Sequence, residues 1–263
     1  MSMNVSRPEP RHVRPGQVVA AVSSGLRVFV QTAPLSLTYA GGFAVLGVGF
    51  ISLLVTVGLA PMALPLVGGF LIVAPALLTG FFAMSAAQRR GRKPTWRDVG
   101  GGFLQSPPSL WGLVLVCLFL FVIWMTDAGI LYSFMLGRSY SGWRMLFPFS
   151  VELLRFHLGA VLAGGLFAVI AFSITAYAVP LLIERRANLV VAVSASVRAI
   201  FRSIPANLTW SCLLASTIIA SIAVPLLLTV TLPIAAFATE ALYRTVFPDE
   251  QGRVPEEQSR HRK

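Results

Sequence analysis

An all-α integral membrane fold with six transmembrane helices in three hairpins is what this sequence predicts. Three observations point to it: apolar blocks of bilayer length, basic clusters confined to alternate loops, and prolines at the reversals. A mean hydropathy of +0.77, with 56% hydrophobic and 12% charged residues, is far from a soluble domain, where charged residues make up about a quarter. The net charge of +11 would suit nucleic acid if it formed one patch. It lies instead in short runs between apolar blocks, so anionic lipid headgroups are the expected acidic partner and nucleic acid is not.

Residues 1–15 carry Arg7, Arg11 and Arg14 among prolines and read as a disordered cytoplasmic tail. They precede no compact apolar core with a small-residue cleavage site, so no signal peptide is expected. The membrane domain covers 16–247, with spans at 35–58, 64–87, 109–136, 159–183, 208–227 and 232–246. Ala60-Pro61 turns the first hairpin. Aromatic residues between spans three and four (Tyr140, Trp143, Phe147, Phe149, Phe156) suit the membrane interface. As one straight helix the apolar stretch 207–246 would be roughly 60 Å long, twice the hydrocarbon thickness. It must fold back, and Pro225 and Pro233 place the turn at Leu228-Thr229-Val230-Thr231. Residues 248–263 form a second disordered tail.

Alternation of loops then assigns sides. Arg27, the cluster Arg89, Arg90, Arg92, Lys93 and Arg97, then Arg185, Arg186, Arg198 and Arg202, and the tail residues Arg244, Arg253, Arg260, Arg262 and Lys263 fall on the terminal side. Only Arg138, Arg144 and Arg155 fall on the other. This is the positive-inside pattern, with both termini cytoplasmic in a bacterial inner membrane.

An internal repeat emerges when VAAVSSGLRVFVQTAPLSLTY is laid over VVAVSASVRAIFRSIPANLTW. Ser23 meets Ser194, Arg27 meets Arg198, Pro34 meets Pro205 and Thr38 meets Thr209. Polar residues four apart (Ser23, Arg27, Gln31; Ser194, Arg198, Arg202) share one helix face. Amphipathic interfacial helices are therefore expected at 17–32 and 188–203, each ended by its proline before the following hairpin. The Gly100-Gly101-Gly102 run lacks a phosphate-loop Lys-Ser/Thr and reads as a flexible linker.

Few residues carry chemistry. Asp127 sits inside the third span, where a carboxylate is costly and defaults to a functional hypothesis. A proton or cation relay would use it; the alternative is a position near the non-cytoplasmic end, reaching water or bonding Thr126, Tyr132 or His157. Asp127 and His157 thus form a candidate intramembrane polar site. Glu240 precedes Arg244 by one helical turn, the spacing of an interfacial ion pair. Arg27, Arg89, Arg90, Arg185, Arg186, Arg198 and Arg202 are expected at the interface. Cys117 and Cys212 lie apart in apolar blocks, and His12, His157 and His261 cannot pair, so no metal, cofactor or catalytic site is expected.

The run Gly69-Phe70-Leu71-Ile72-Val73-Ala74-Pro75, then Gly80, Met84-Ser85 and Arg90-Gly91, resembles a bacterial family of predicted integral membrane proteins, domain of unknown function 2189. Trp124, Val179-Pro180-Leu181-Leu182, Val197-Arg198-Ala199, Asn207 and Tyr243-Arg244 fit the same pattern, from about Gly16 to Phe247. The resemblance implies fold and location. Some members are labelled cytochrome c oxidase subunit I-like and many have histidines in the last helix, where this chain has Phe237 and Ala241, so an oxidase role is not expected here. The function expected is a non-enzymatic scaffold or assembly partner contacting other membrane proteins or itself, with Gly41, Gly42, Gly47, Gly49, Gly159, Gly164 and Gly165 allowing close helix packing. The alternative is a small transporter or lipid-handling protein using Asp127.

Overall fold

A computed structural model describes residues 8–67, 70–137, 140, 142–147 and 149–248. Arg7, Gly69, Arg138, Arg253, Arg260, His261, Arg262 and Lys263 lie outside the described residues. The helices in chain order are α1 (Pro15–Thr56), α2 (Ala63–Val67), α3 (Phe70–Arg89), α4 (Trp96–Leu104), α5 (Pro108–Met135), α6 (Val151–Thr175), α7 (Ala178–Ile183), α8 (Leu189–Arg202), α9 (Ile204–Ala223) and α10 (Leu228–Val246). Apart from an isolated bridge between Leu59 and Tyr140, the described regular structure is helical. Five helical segments are long and apolar enough to cross a membrane: Pro15–Thr56, Pro108–Met135, Val151–Ile183, Ile204–Ser221 and Pro225–Val246. The last apolar stretch is thus two full-length segments.

Pro34 does not end a helix. α1 continues through it, although a mid-helix proline costs about 3 kcal/mol from the lost bond and the ring clash. Packing on α10 lies on both sides of Pro34 and offsets this: Gly25 sits against Ala238 before it, and Tyr39 and Ala40 share a buried cluster with Ala236 and Phe237 after it. An alanine Cβ at Gly25 would come within 2.7 Å of Ile234 O and Ala238 N. Beyond the proline, Ser36 is fully buried, with its hydroxyl 2.8 Å from that of Thr32. At the second copy, α8 does stop, at Ser203, and Pro205 opens α9.

The α9–α10 reversal also differs from expectation. It falls on the 3-10 turn Pro225–Leu227, and α10 runs on through Pro233. The threonines that the sequence places in the turn are helical: Thr229 and Thr231 donate to Leu226 O (2.7 Å) and Leu227 O (3.0 Å). The triple glycine is likewise helical, inside α4, which Thr95 and Asp98 start with a reciprocal capping box. Gly102 is required there because a Cβ would sit 2.7 Å from Thr79 O on α3. Close approach to α3 outweighs low helix propensity.

The stretch before α1 is docked rather than free. Arg11 N donates to Val246 O (2.9 Å) and Val13 N to Ser203 Oγ (2.9 Å), and Val13 is buried. Glycine packing is redistributed too. Gly41, Gly42, Gly47, Gly49 and Gly165 have nothing within 4 Å of an added Cβ, whereas Gly80 abuts the Tyr39 ring, Gly159 abuts Leu131 and Gly164 abuts Trp124.

Between α6 and α7 the helix breaks at Ala176–Tyr177, where Pro180 cannot donate to the Ala176 carbonyl. A polar knot replaces the missing ladder. Ser196 Oγ donates to Ser173 O (2.8 Å) and accepts from Tyr177 N (3.1 Å). The Tyr177 hydroxyl donates to Asn207 Oδ1 (2.7 Å), and Asn207 Nδ2 donates to Ser203 O (3.0 Å). Tyr177 anchors a core shared with Leu181, Ala195, Trp210, Leu242 and Tyr243. That core fixes the ends of α7 and α10 beside one another.

Candidate functional site

Where α3, α7 and α10 end together, a cleft of about 680 Å³ opens, with α4 as its fourth wall. Its floor is a charge lattice centred on Glu240, whose side chain is only 4% exposed. A carboxylate so enclosed needs full pairing. Arg89 on α3 bonds it from across the bundle, and Arg244, one turn on, donates from Nη2 at 3.0 Å and Nε at 3.1 Å. Arg244 also reaches Glu184 Oε1 at 2.7 Å. The Tyr243 hydroxyl donates to Glu184 Oε2 (2.8 Å) and accepts from Arg186 (3.1 Å). Arg186 further bonds Phe247 O at 2.9 Å, at the end of α10, where a cation suits the exposed carbonyls.

The rim is cationic. Arg185 has a left-handed backbone with φ of 55° because it ends α7 in a Schellman turn, its N–H donating to Leu182 O and that of Arg186 to Leu181 O. Its Nη2 bonds Gln105 O at 2.9 Å, tying α7 to the end of α4. Arg92 pairs with Asp98 at 2.7 Å. This hydrogen bond first, and then that from Thr95, hold the Asp98 carboxyl well below the usual range. Arg90 and Arg97 are exposed and bring no charge-paired partner of their own among the described residues. In all, six arginines face three carboxylates around this cleft.

The other residues singled out from sequence lie elsewhere. Arg198 and Arg202 line a second, smaller cavity of about 420 Å³ with Glu9. Arg27 is exposed on α1. Asp127 is exposed on the outer face of α5 among Val122, Thr126, Ile130 and Phe134 and lines neither cavity. His157 is buried on α6, with Nδ1 2.7 Å from Leu153 O and Nε2 without a partner among the described residues; the structure does not bond it to Asp127. Among the described residues no three His, Cys, Asp or Glu side chains cluster as a metal site would need. Sequence spacing exposed the Glu240–Arg244 pair, but not that Arg89 from α3 and Glu184 from the end of α7 join it, nor that Tyr243 on the same helix bonds Glu184. Their only local signal was position: each lies at the end of an apolar block.

Long apolar helices bound at one end by an arginine cleft define a multi-pass helical membrane protein. Residues 63–184 match the family model described as Predicted integral membrane protein (DUF2189), so the resemblance seen in the sequence holds over that segment. No curated protein and no solved structure matches the chain.

Proposed function

We propose that this is a non-enzymatic protein of the bacterial inner membrane that works by lateral association, as a scaffold or assembly partner. The observation that carries the proposal is Asp127. It is exposed on α5, a helix of spanning length, and makes no hydrogen bond or ion pair with the described residues. A carboxylate facing hydrocarbon is costly by about 3 kcal/mol or more. A second membrane-spanning chain that brings a cation or a hydrogen-bond donor to this face removes the cost. The outward Gly42 and Gly49 of α1 offer a further surface for close approach.

A six-pass topology draws support from how the ends of the helical domain meet. Arg11 bonds Val246, so the two ends of the membrane domain share a side and the number of crossings between them is even. Five long segments then call for a sixth, and α3, apolar over most of Phe70–Arg89, supplies it. The basic end is cytoplasmic by the positive-inside rule. Equivalent local bonds support the internal repeat: Ser23 to Ala20 O and Ser194 to Val191 O, Thr38 to Pro34 O and Thr209 to Pro205 O. In both copies the small face is buried (Ala21 and Gly25, Ala192 and Ser196) while Val30 and Phe201 stay exposed, as on an interfacial helix.

Extraction into native-lipid nanodiscs tests the function. The expected result is a complex with another membrane protein or a second copy, weakened by Asp127→Leu. Recovery of the wild type only as a lone monomer would overturn it. The transporter reading draws its support from Asp127 alone, and proton or cation flux in liposomes that disappears in Asp127→Asn would establish it instead.

A further inference from the structure

We propose that the cleft between α3, α4 and α7 is a binding site for a phosphate group, carried on a phospholipid headgroup or free in solution. The Arg89–Glu240–Arg244–Glu184 lattice neutralises the floor and fixes it. Surplus positive charge is left at the rim, where Arg90 and Arg97 project without carboxylate partners among the described residues and Arg185 reaches across to Gln105. Guanidinium groups match phosphate oxygens with paired, charge-assisted hydrogen bonds. One feature shows that space is kept open. Gly101 lines the cleft without a side chain, and an added Cβ would meet only Gln105 Nε2, at 3.6 Å. The Arg185 guanidinium, held on Gln105 O just past the turn that ends α7, borders the α4 side of the opening. The volume of about 680 Å³ exceeds what one phosphate needs and accommodates a phosphoglycerol-sized group.

Native mass spectrometry of the full chain with phosphatidylglycerol and, as neutral control, phosphatidylcholine tests the lipid source; calorimetry with inorganic phosphate tests the soluble one. Arg90→Gln with Arg97→Gln removes the unpaired charge, and Gly101→Leu fills the cleft without altering charge. Arg27→Gln with Arg198→Gln matches the charge change at a distance. Selective retention of phosphatidylglycerol, reduced about tenfold or more by both cleft variants and retained in the distant one, supports a headgroup site. The same pattern with inorganic phosphate supports a soluble ligand. Binding of neither probe by the wild type, or equal loss in the cleft and distant variants, would overturn the proposal. Circular dichroism and gel filtration identify variants that fail to fold, and the two cleft variants perturb different atoms, so one folded variant suffices.

Discussion

Glu240 shows how much one side chain organises at the basic end. It is the buried member of a chain of charges whose arginines stay partly exposed, Arg89 at 45% and Arg244 at 30%. Removing its charge leaves two guanidiniums facing each other in a poorly hydrated place, an effect that exceeds the net worth of either pair. With solvent screening of the arginines, Glu240→Gln is expected to destabilise by about 2 kcal/mol. Tyr243→Phe, which loses one hydroxyl bonded on both sides, is expected to lose about 1 kcal/mol. Denaturation in detergent compares them, and a Glu240→Gln variant as stable as wild type would sink the lattice as a structural device. Asp98 differs in being only partly enclosed, its side chain 18% exposed. Its carboxyl is depressed below the ordinary 3.8 by Arg92 and Thr95, so its cap on α4 is fully present above that value and lost only as pH falls through the depressed one. A carboxyl resonance for Asp98 titrating at or above 3.8 would contradict this.

At the scale of elements, glycines separate the faces that pack within the chain from those that do not. Gly25 has α10 backbone where a Cβ would go, whereas Gly42 has open space. Gly25→Ala should therefore destabilise by about 2 kcal/mol through forced separation of α1 and α10. Gly42→Ala should be neutral or stabilise by about 0.5 kcal/mol through helix propensity. Thermal melts of the two variants side by side decide it, and equal effects would refute the α1–α10 packing. Sequence periodicity could not foretell which glycines pack. A spanning helix such as α5 is apolar on all sides, so its length and ends are legible, at 109–136 against Pro108–Met135, but its inward face is not. Charged residues gave the boundaries of α3 and α7 for the same reason that Glu152 and Arg155 obscured the start of α6. Pro34 and Pro233 misled because a local penalty was weighed without the tertiary packing that offsets it.

The whole molecule is closed by contacts that no local pattern encodes. Arg89 and Glu240 are separated by 151 residues and Val13 and Ser203 by 190, so only the return of α10 beside α1 brings the basic segments to one end. Legible in the sequence was the clustering of arginines in alternate loops; hidden was their convergence on one cleft, which depends on the order of helices around the bundle. That convergence makes orientation testable in a single experiment. Lys93, in the loop after α3, and Trp143, in the turn before α6, lie at opposite ends of the bundle, because α5 runs between them and its length of 28 residues corresponds to roughly 42 Å. In a background with Cys117→Ala and Cys212→Ala, a cysteine at position 143 should react with a membrane-impermeant maleimide in spheroplasts. One at position 93 should react only after permeabilisation. Reversed labelling would place the arginine cleft on the non-cytoplasmic side, away from the leaflet whose anionic surface attracts such residues. Labelling of both from the same side would remove α5 from the membrane and with it the lipid-facing position proposed for Asp127.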